Sequence, residues 1–106
     1  MSLFDYYRPK DAQRCPLCLR ALEEWQGKDG PNGLLVWVEG TRFPVDQRAD
    51  DDVRLEREAL QRLRLPERFV IYSYDCPEHI VSADCSTLDG IWTTTSVRRS
   101  AGKRAK

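Results

Sequence analysis

Two four-residue motifs in this chain contain residue types that bind soft metal ions. Residues 15–18 are Cys-Pro-Leu-Cys, residues 76–79 are Cys-Pro-Glu-His, and an aliphatic residue follows each motif. Two ligands separated by two residues can contact one ion from a short turn, and the proline presets the backbone φ angle of that turn. Because a structural zinc ion takes four such ligands, the sequence predicts one zinc ion per chain. Its predicted ligands are Cys15, Cys18, Cys76 and His79.

The fourth ligand has an alternative in Cys85, the remaining cysteine of the chain. With Cys85 in place of His79 the site would be all-cysteine, and His79 would then be a surface residue. If His79 is the ligand, Cys85 is expected to be a small buried apolar residue. The sequence leaves both assignments open.

The redox state of the four cysteines depends on the compartment. The first ten residues contain no apolar stretch of signal-peptide length, and no apolar run approaches the roughly 20 residues of a membrane span. We therefore expect a cytoplasmic protein with reduced thiols and no membrane partner. A thiol redox protein that uses Cys15 and Cys18 is an alternative, and it would need a helix that begins at the pair to lower the thiol pKa. Ordinary reduced cysteines without a metal are the remaining interpretation.

The same residues argue against an enzyme. A catalytic zinc ion keeps one coordination position open and has a general base nearby, for which Glu78 beside His79 is a candidate. However, the chain has a single histidine, which excludes the paired-histidine motif of zinc hydrolases, and the His-x-Glu motif of zinc deaminases is missing. We expect a non-catalytic protein, with a zinc hydrolase or a thiol oxidoreductase as the enzymatic alternatives.

The distribution of charge indicates the kind of partner. The chain has 17 basic and 17 acidic residues, but five basic residues lie within 98–106, so residues 1–97 carry a net charge of −5. An acidic surface favours a basic protein partner, as an inhibitor or immunity-type protein would need against a cationic nuclease or toxin. We therefore predict a protein-interaction module. The alternative is a nucleic-acid-binding protein that contacts phosphates through Arg98, Arg99, Lys103, Arg104 and Lys106.

The elements that must position these motifs suggest an α+β fold with a small, mostly antiparallel sheet stapled by zinc. One clear helix is expected over about 52–64, where leucines and an alanine form an apolar stripe. Residues 1–97 are predicted to form a single domain and residues 98–106 a disordered basic tail. Three further segments are rich in β-branched and aromatic residues, which favours strands, at 34–38, 69–74 and 91–97.

The segments beside the first motif are predicted to contain no strand. Residues 1–14 are expected to be an irregular arm that carries aromatic side chains. Residues 19–26 are expected to form a short helix with Leu19, Leu22 and Trp25 on one face.

The paired motifs resemble those of the zinc-ribbon and treble-clef class of zinc domains. The resemblance covers residues 15–18 and 76–79, and it implies a four-ligand zinc site built from two separate turns. Ribbon turns of this class carry glycine after the second ligand, where this chain has Leu19 and Ile80. Residues 24–31, Glu-Trp-Gln-Gly-Lys-Asp-Gly-Pro, beside a Cys-Pro-x-Cys motif resemble small bacterial proteins of no assigned activity.

Overall fold

The computed structural model describes residues 4–30, 35–42, 44–45, 57–98 and 102–103. These residues are mostly β, with one six-residue helix, α1, at Arg57–Arg62. The nine strands in chain order are β1 (Asp5–Arg8), β2 (Gln13–Arg14), β3 (Ala21–Leu22), β4 (Trp25–Gly27), β5 (Val36–Val38), β6 (Arg68–Ser73), β7 (His79–Leu88), β8 (Ile91–Val97) and β9 (Gly102–Lys103).

Six strands form one curled sheet in the order β5-β1-β4-β6-β7-β8, which makes a half-barrel. The neighbours are antiparallel except β1 and β5, which are parallel. Contacts between β8 and the turn that follows β5 draw the sheet toward closure, since Gly40 N–H donates to Trp92 O at 2.7 Å and Thr95 Oγ1 donates to Glu39 Oε1 at 2.6 Å. Strands β2 and β3 form a separate two-stranded hairpin.

The predicted α+β class is wrong, because the helix expected over 52–64 is only the short α1 in the part of that range that is described. Residues 52–56 lie outside the described residues. The apolar stripe of this segment has little to pack against: Ala59 is exposed, and Leu63, which follows α1, is only partly buried against the core. A helix of this length is marginal without strong tertiary packing. The strands bury the core instead.

The expectations for residues 1–14 and 19–26 are also wrong, since residues 4–14 contain β1 and β2 and residues 19–26 contain β3 and the start of β4. Tyr7 is 1% exposed and Tyr6 is half-buried, which is the alternation of a strand with one buried face. In the second segment Leu22 and Trp25 are buried but Leu19 is 67% exposed, so the three do not share a buried helical face. The helical period of 3.6 residues does not describe the buried positions of this segment, because the chain there is extended.

Three predicted strands are confirmed as β5, β6 and β8, while the longest strand, β7, is missed. Its inward residues Val81, Ala83 and Cys85 are small and alternate with polar outward residues. The turn between β7 and β8 is Asp89-Gly90, with φ angles of 54° and 80°. An Asp-Gly pair between alternating segments is a strong hairpin signal, and it was available in the sequence.

The core lies on the inner face of the half-barrel and is centred on aromatic rings. Tyr7, Phe69 and Trp92 contact one another with ring centroids 5.5–5.9 Å apart. Beside them the fully buried Asp5 accepts hydrogen bonds from Trp37 Nε1 at 3.0 Å and Leu35 N–H at 3.1 Å. These contacts join β1 to β5 at the centre of the fold.

The predicted tail begins as an ordered continuation of β8. Arg98 N–H donates to Ser82 O at 2.9 Å, and its guanidinium pairs with Asp84 at 2.8 Å. Strand β9 pairs with the start of β7, where Lys103 lies opposite His79. Residues 99–101 and 104–106 lie outside the described residues. Among the helices that the structure describes, none is long and apolar enough to span a membrane.

Candidate metal centre

The structure brings Cys15, Cys18, Cys76 and His79 together. One ligand atom from each residue lies within 4.8 Å of the other three, so the group is close enough to bind a metal ion. The Sγ atoms of Cys18 and Cys76 are 3.2 Å apart, and His79 Nδ1 lies 3.3 Å from Cys76 Sγ and 3.8 Å from Cys15 Sγ. A tetrahedron with zinc–sulfur bonds of ~2.3 Å has sulfur–sulfur edges of about 3.8 Å. The separations between the donor atoms are therefore close to the edge lengths of one coordination tetrahedron.

The first motif forms a tight turn at the end of the β2–β3 hairpin. Cys15 N–H donates to Arg20 O and Leu19 N–H donates to Cys15 O, both at 2.9 Å. Leu19 has a φ of 61°, the left-handed conformation that favours glycine. Leucine therefore stands here in a conformation that glycine adopts more readily. Cys15 is buried and Cys18 is exposed.

The second motif lies in the connection between the two long strands β6 and β7. Cys76 is buried, and His79 is the first residue of β7. Desolvation opposes ionisation of Cys76, but hydrogen bonds from the Cys18 thiol and from the N–H groups of Glu78 and His79 outweigh it and lower the pKa of Cys76 to about 6. A thiol that ionises this readily is a good metal ligand, because the thiolate is the binding form.

Asp75 connects the two motifs and was not identified from the sequence. Its Oδ2 accepts hydrogen bonds from Glu23 N–H at 2.7 Å and Glu24 N–H at 2.9 Å, just after the β2–β3 hairpin. The corresponding residue before the first motif, Arg14, instead donates to Leu19 O at 3.0 Å within its own turn. Asp75 therefore holds the first hairpin against the second through the backbone. The sequence offered no signal for this, because the partners are backbone groups distant along the chain.

Cys85 lies apart from the four clustered residues. It sits in the middle of β7, six residues beyond His79, which is about 20 Å along an extended strand. It is 4% exposed and packs in the core, and burial raises its pKa to about 12. Its place is that of the small buried apolar residue expected if His79 completes the group.

The surroundings of Cys15 and Cys18 differ from those of a redox pair. The helix that would lower a thiol pKa was expected over 19–26, but the described structure has β3 and β4 there. The neighbours of these thiols are instead the Cys76 thiol and the His79 ring. The arrangement brings together donors from two hairpins that could hold a metal ion.

Comparisons with known proteins do not place the chain in a family. The sequence matches no protein-family model and no curated protein, and its structure matches no solved structure. The candidate centre consists of three cysteines and one histidine that lie between two hairpins and could hold a metal ion.

Proposed function

We propose that this protein is a non-catalytic zinc-binding domain that acts as a protein-interaction module. The observation that supports it most is the convergence of four soft or borderline donors, two from each hairpin, within 4.8 Å. Three thiolates and one imidazole are the ligands of structural zinc sites, whereas magnesium and calcium require oxygen ligands. The reducing cytoplasm would keep the thiols available for the ion.

A structural role follows from the number of ligands. Four protein donors complete a tetrahedral zinc site, so no position is left for water or substrate. Glu78 is exposed beside His79, but a general base needs a metal-bound water to act on. The zinc hydrolase alternative therefore has less support than a structural ion. The placement of both motifs at hairpins supports a relationship to zinc ribbons in architecture.

The interaction role is supported by charge. Residues 1–97 carry a net charge of −5, which favours encounter with a basic protein. An inhibitor or immunity-type protein acts in this manner, by covering a cationic surface of its target.

Metal analysis and affinity capture test this proposal together. We expect one zinc ion per chain in the purified protein, and capture of partner proteins from lysate that survives nuclease treatment. The matched control is Cys15→Ser, which removes one ligand and should lose both the zinc and the partners. Recovery of nucleic acid alone, or capture unchanged by Cys15→Ser, would contradict the proposal.

Nucleic-acid binding is a second candidate, and the position of β9 favours it. Because β9 pairs with His79 and Ile80, residues 102–103 run beside the candidate metal centre. Basic charges there would add to any phosphate-binding surface. Glutamine substitution of Arg99, Lys103, Arg104 and Lys106 keeps the backbone of β9 while removing four charges. Loss of salt-dependent binding to RNA or DNA in this variant would support the candidate, and absence of binding by the unmodified protein at low salt would eliminate it.

A further inference from the structure

The outer face of the sheet carries aromatic side chains that the core does not use. The register places Tyr6, Gln26 and Tyr72 side by side across β1, β4 and β6. Tyr72 and Tyr74 are 38% and 40% exposed. Phe4 packs edge-on against Tyr6, with ring centroids 5.1 Å apart. Four aromatic rings thus lie on one surface without being needed to fill the inner face of the half-barrel.

Two hollows adjoin at these rings. One, of about 360 Å³, is lined by Phe4, Tyr72 and Tyr74 among others. The second, of about 450 Å³, is lined by Tyr6 together with Glu23 and Glu24. They meet where Phe4, in the first hollow, contacts Tyr6, in the second. We call the combined surface the aromatic–acidic groove, and the argument uses six of its lining residues: Phe4, Tyr6, Glu23, Glu24, Tyr72 and Tyr74. The lining of the first hollow also contains one cation and one carboxylate next to each other in the chain, Lys28 and Asp29.

The charges at one end of the groove select the kind of ligand. Glu23 and Glu24 are exposed, and neither carboxylate pairs with a cation among the residues that the structure describes. Asp75 is a third carboxylate in the lining of the same hollow, and Arg8 is the cation in that lining. Because no described cation neutralises them, these two neighbouring glutamate carboxylates present negative charge to a partner. They also disfavour a phosphate backbone.

We propose that the aromatic–acidic groove binds an extended, arginine- or lysine-bearing segment of the partner protein. A guanidinium group stacks on aromatic faces and pairs with carboxylates, so it can use both ends of the groove. The net charge of −5 on residues 1–97 brings such a segment toward the surface. This inference rests on the proposed function, since it names the surface and the chemistry through which the interaction module acts.

Binding of labelled peptides to the zinc-loaded protein tests the groove. The probes are a fluorescent oligo-arginine peptide, an oligo-glutamate peptide and oligo-thymidylate, each measured by fluorescence anisotropy. We expect binding of oligo-arginine only. Amide shifts in nuclear magnetic resonance spectra should concentrate in β1, β4 and β6 and in the segment that carries Glu23 and Glu24.

Two groove variants and one matched control locate the site. The double variant Glu23→Gln/Glu24→Gln and the single variant Tyr72→Ala should each weaken oligo-arginine binding by about tenfold. The control Glu58→Gln/Glu67→Gln removes the same charge from exposed residues that line neither hollow, and it should leave binding nearly unchanged. Zinc content reports whether the metal centre forms in each variant, and the dispersion of the amide spectrum reports whether the sheet is folded.

Every other outcome contradicts the proposal that the groove binds an arginine- or lysine-bearing segment. Equal weakening by the control would show that net charge alone attracts the peptide, and preferential binding of oligo-thymidylate would assign the aromatic rings to nucleic acid. If oligo-arginine does not bind while proteins are still captured from lysate, the proposed ligand of the groove is wrong but the proposed protein-interaction role is retained. If neither is observed, the proposed function fails as well.

Discussion

The two candidate metal-binding motifs have the same sequence pattern but very different support from the fold. The second lies between β6 and β7, which pair over six residues from Arg68 to Ser73. The first lies at the end of β2 and β3, which pair over two residues and belong to no larger sheet. The first turn also holds Leu19 in the left-handed conformation at a φ of 61°. The sheet therefore positions the second motif, whereas the first motif requires an additional stabilising interaction to form its turn.

This difference indicates how an ion bound at the two motifs would contribute to folding. Donors on a rigid hairpin are positioned before the ion binds, so their ordering costs little at that step. Donors on a two-residue hairpin must be ordered by binding, and the free energy of binding then becomes folding free energy for that segment. We expect zinc to staple residues 13–22 onto a sheet that largely exists without it.

Metal removal should produce the largest effect, because it tests directly whether the first hairpin depends on the ion more than the second. In small zinc domains the apparent binding free energy is about 10–16 kcal/mol, which is enough to fold a short hairpin. With a chelator in excess, or in Cys15→Ser, we expect amide-exchange protection to be lost over residues 13–22 and kept in β6, β7 and β8. Hydrogen exchange resolved by residue measures both regions in one sample.

The control for this experiment is Cys85→Ser, which alters a buried thiol away from the cluster. It should keep one zinc ion per chain and the protection of residues 13–22. Simultaneous loss of protection in β6 and β7 on chelation would show that both hairpins depend equally on the ion, against the comparison.

A smaller effect is expected from Asp75, which braces the weaker hairpin through backbone hydrogen bonds. Asp75→Ala removes a charged acceptor from the N–H groups of Glu23 and Glu24. Hydrogen bonds to charged groups contribute about 1.5–3 kcal/mol each, but these exposed N–H groups regain water, so we expect a net loss of about 2 kcal/mol. Urea unfolding of the zinc-loaded protein measures the free energy of unfolding.

Two further substitutions sharpen the test of Asp75. Asp75→Asn keeps an acceptor oxygen and should recover part of the loss. Asp84→Ala breaks the exposed ion pair with Arg98 and should cost much less than Asp75→Ala. If Asp75→Ala and Asp84→Ala have equal effects, Asp75 is an ordinary surface carboxylate and does not join the hairpins.

The same contrast explains how much of the centre was predictable. The four clustered residues follow a local pattern, because the geometry of a two-residue spacing is independent of the rest of the fold. Asp75 follows none, since its partners are backbone groups 51 and 52 residues earlier. Physical chemistry at the level of the motif therefore predicts which four residues cluster, but not what holds the motifs together.

The strands also divide into those that the local sequence predicts and one that it does not. Strands β6 and β8 are rich in β-branched and aromatic residues, and both were predicted. Strand β7 was missed because its buried side chains include Ala83 and Cys85, which carry little hydrophobic signal. The helix expected over 52–64 was assigned from an apolar stripe, but a stripe stabilises a helix only when the fold supplies a surface to cover it. That surface is a property of the whole sheet.

The smallest effect concerns the residue after each second ligand, where the two motifs can be compared directly. Leu19 is 67% exposed and has a positive φ, so its side chain contributes little packing to offset the backbone strain. Leu19→Gly removes strain of about 1–2 kcal/mol, partly offset by the entropy that glycine adds to the unfolded chain, for a net gain of ~0.5–1 kcal/mol. Ile80 is half-buried in β7 and extended, so Ile80→Gly should destabilise the protein by at least as much. Thermal unfolding of the two zinc-loaded variants measures both, and destabilisation by Leu19→Gly would mean that the leucine makes a contact the first turn requires.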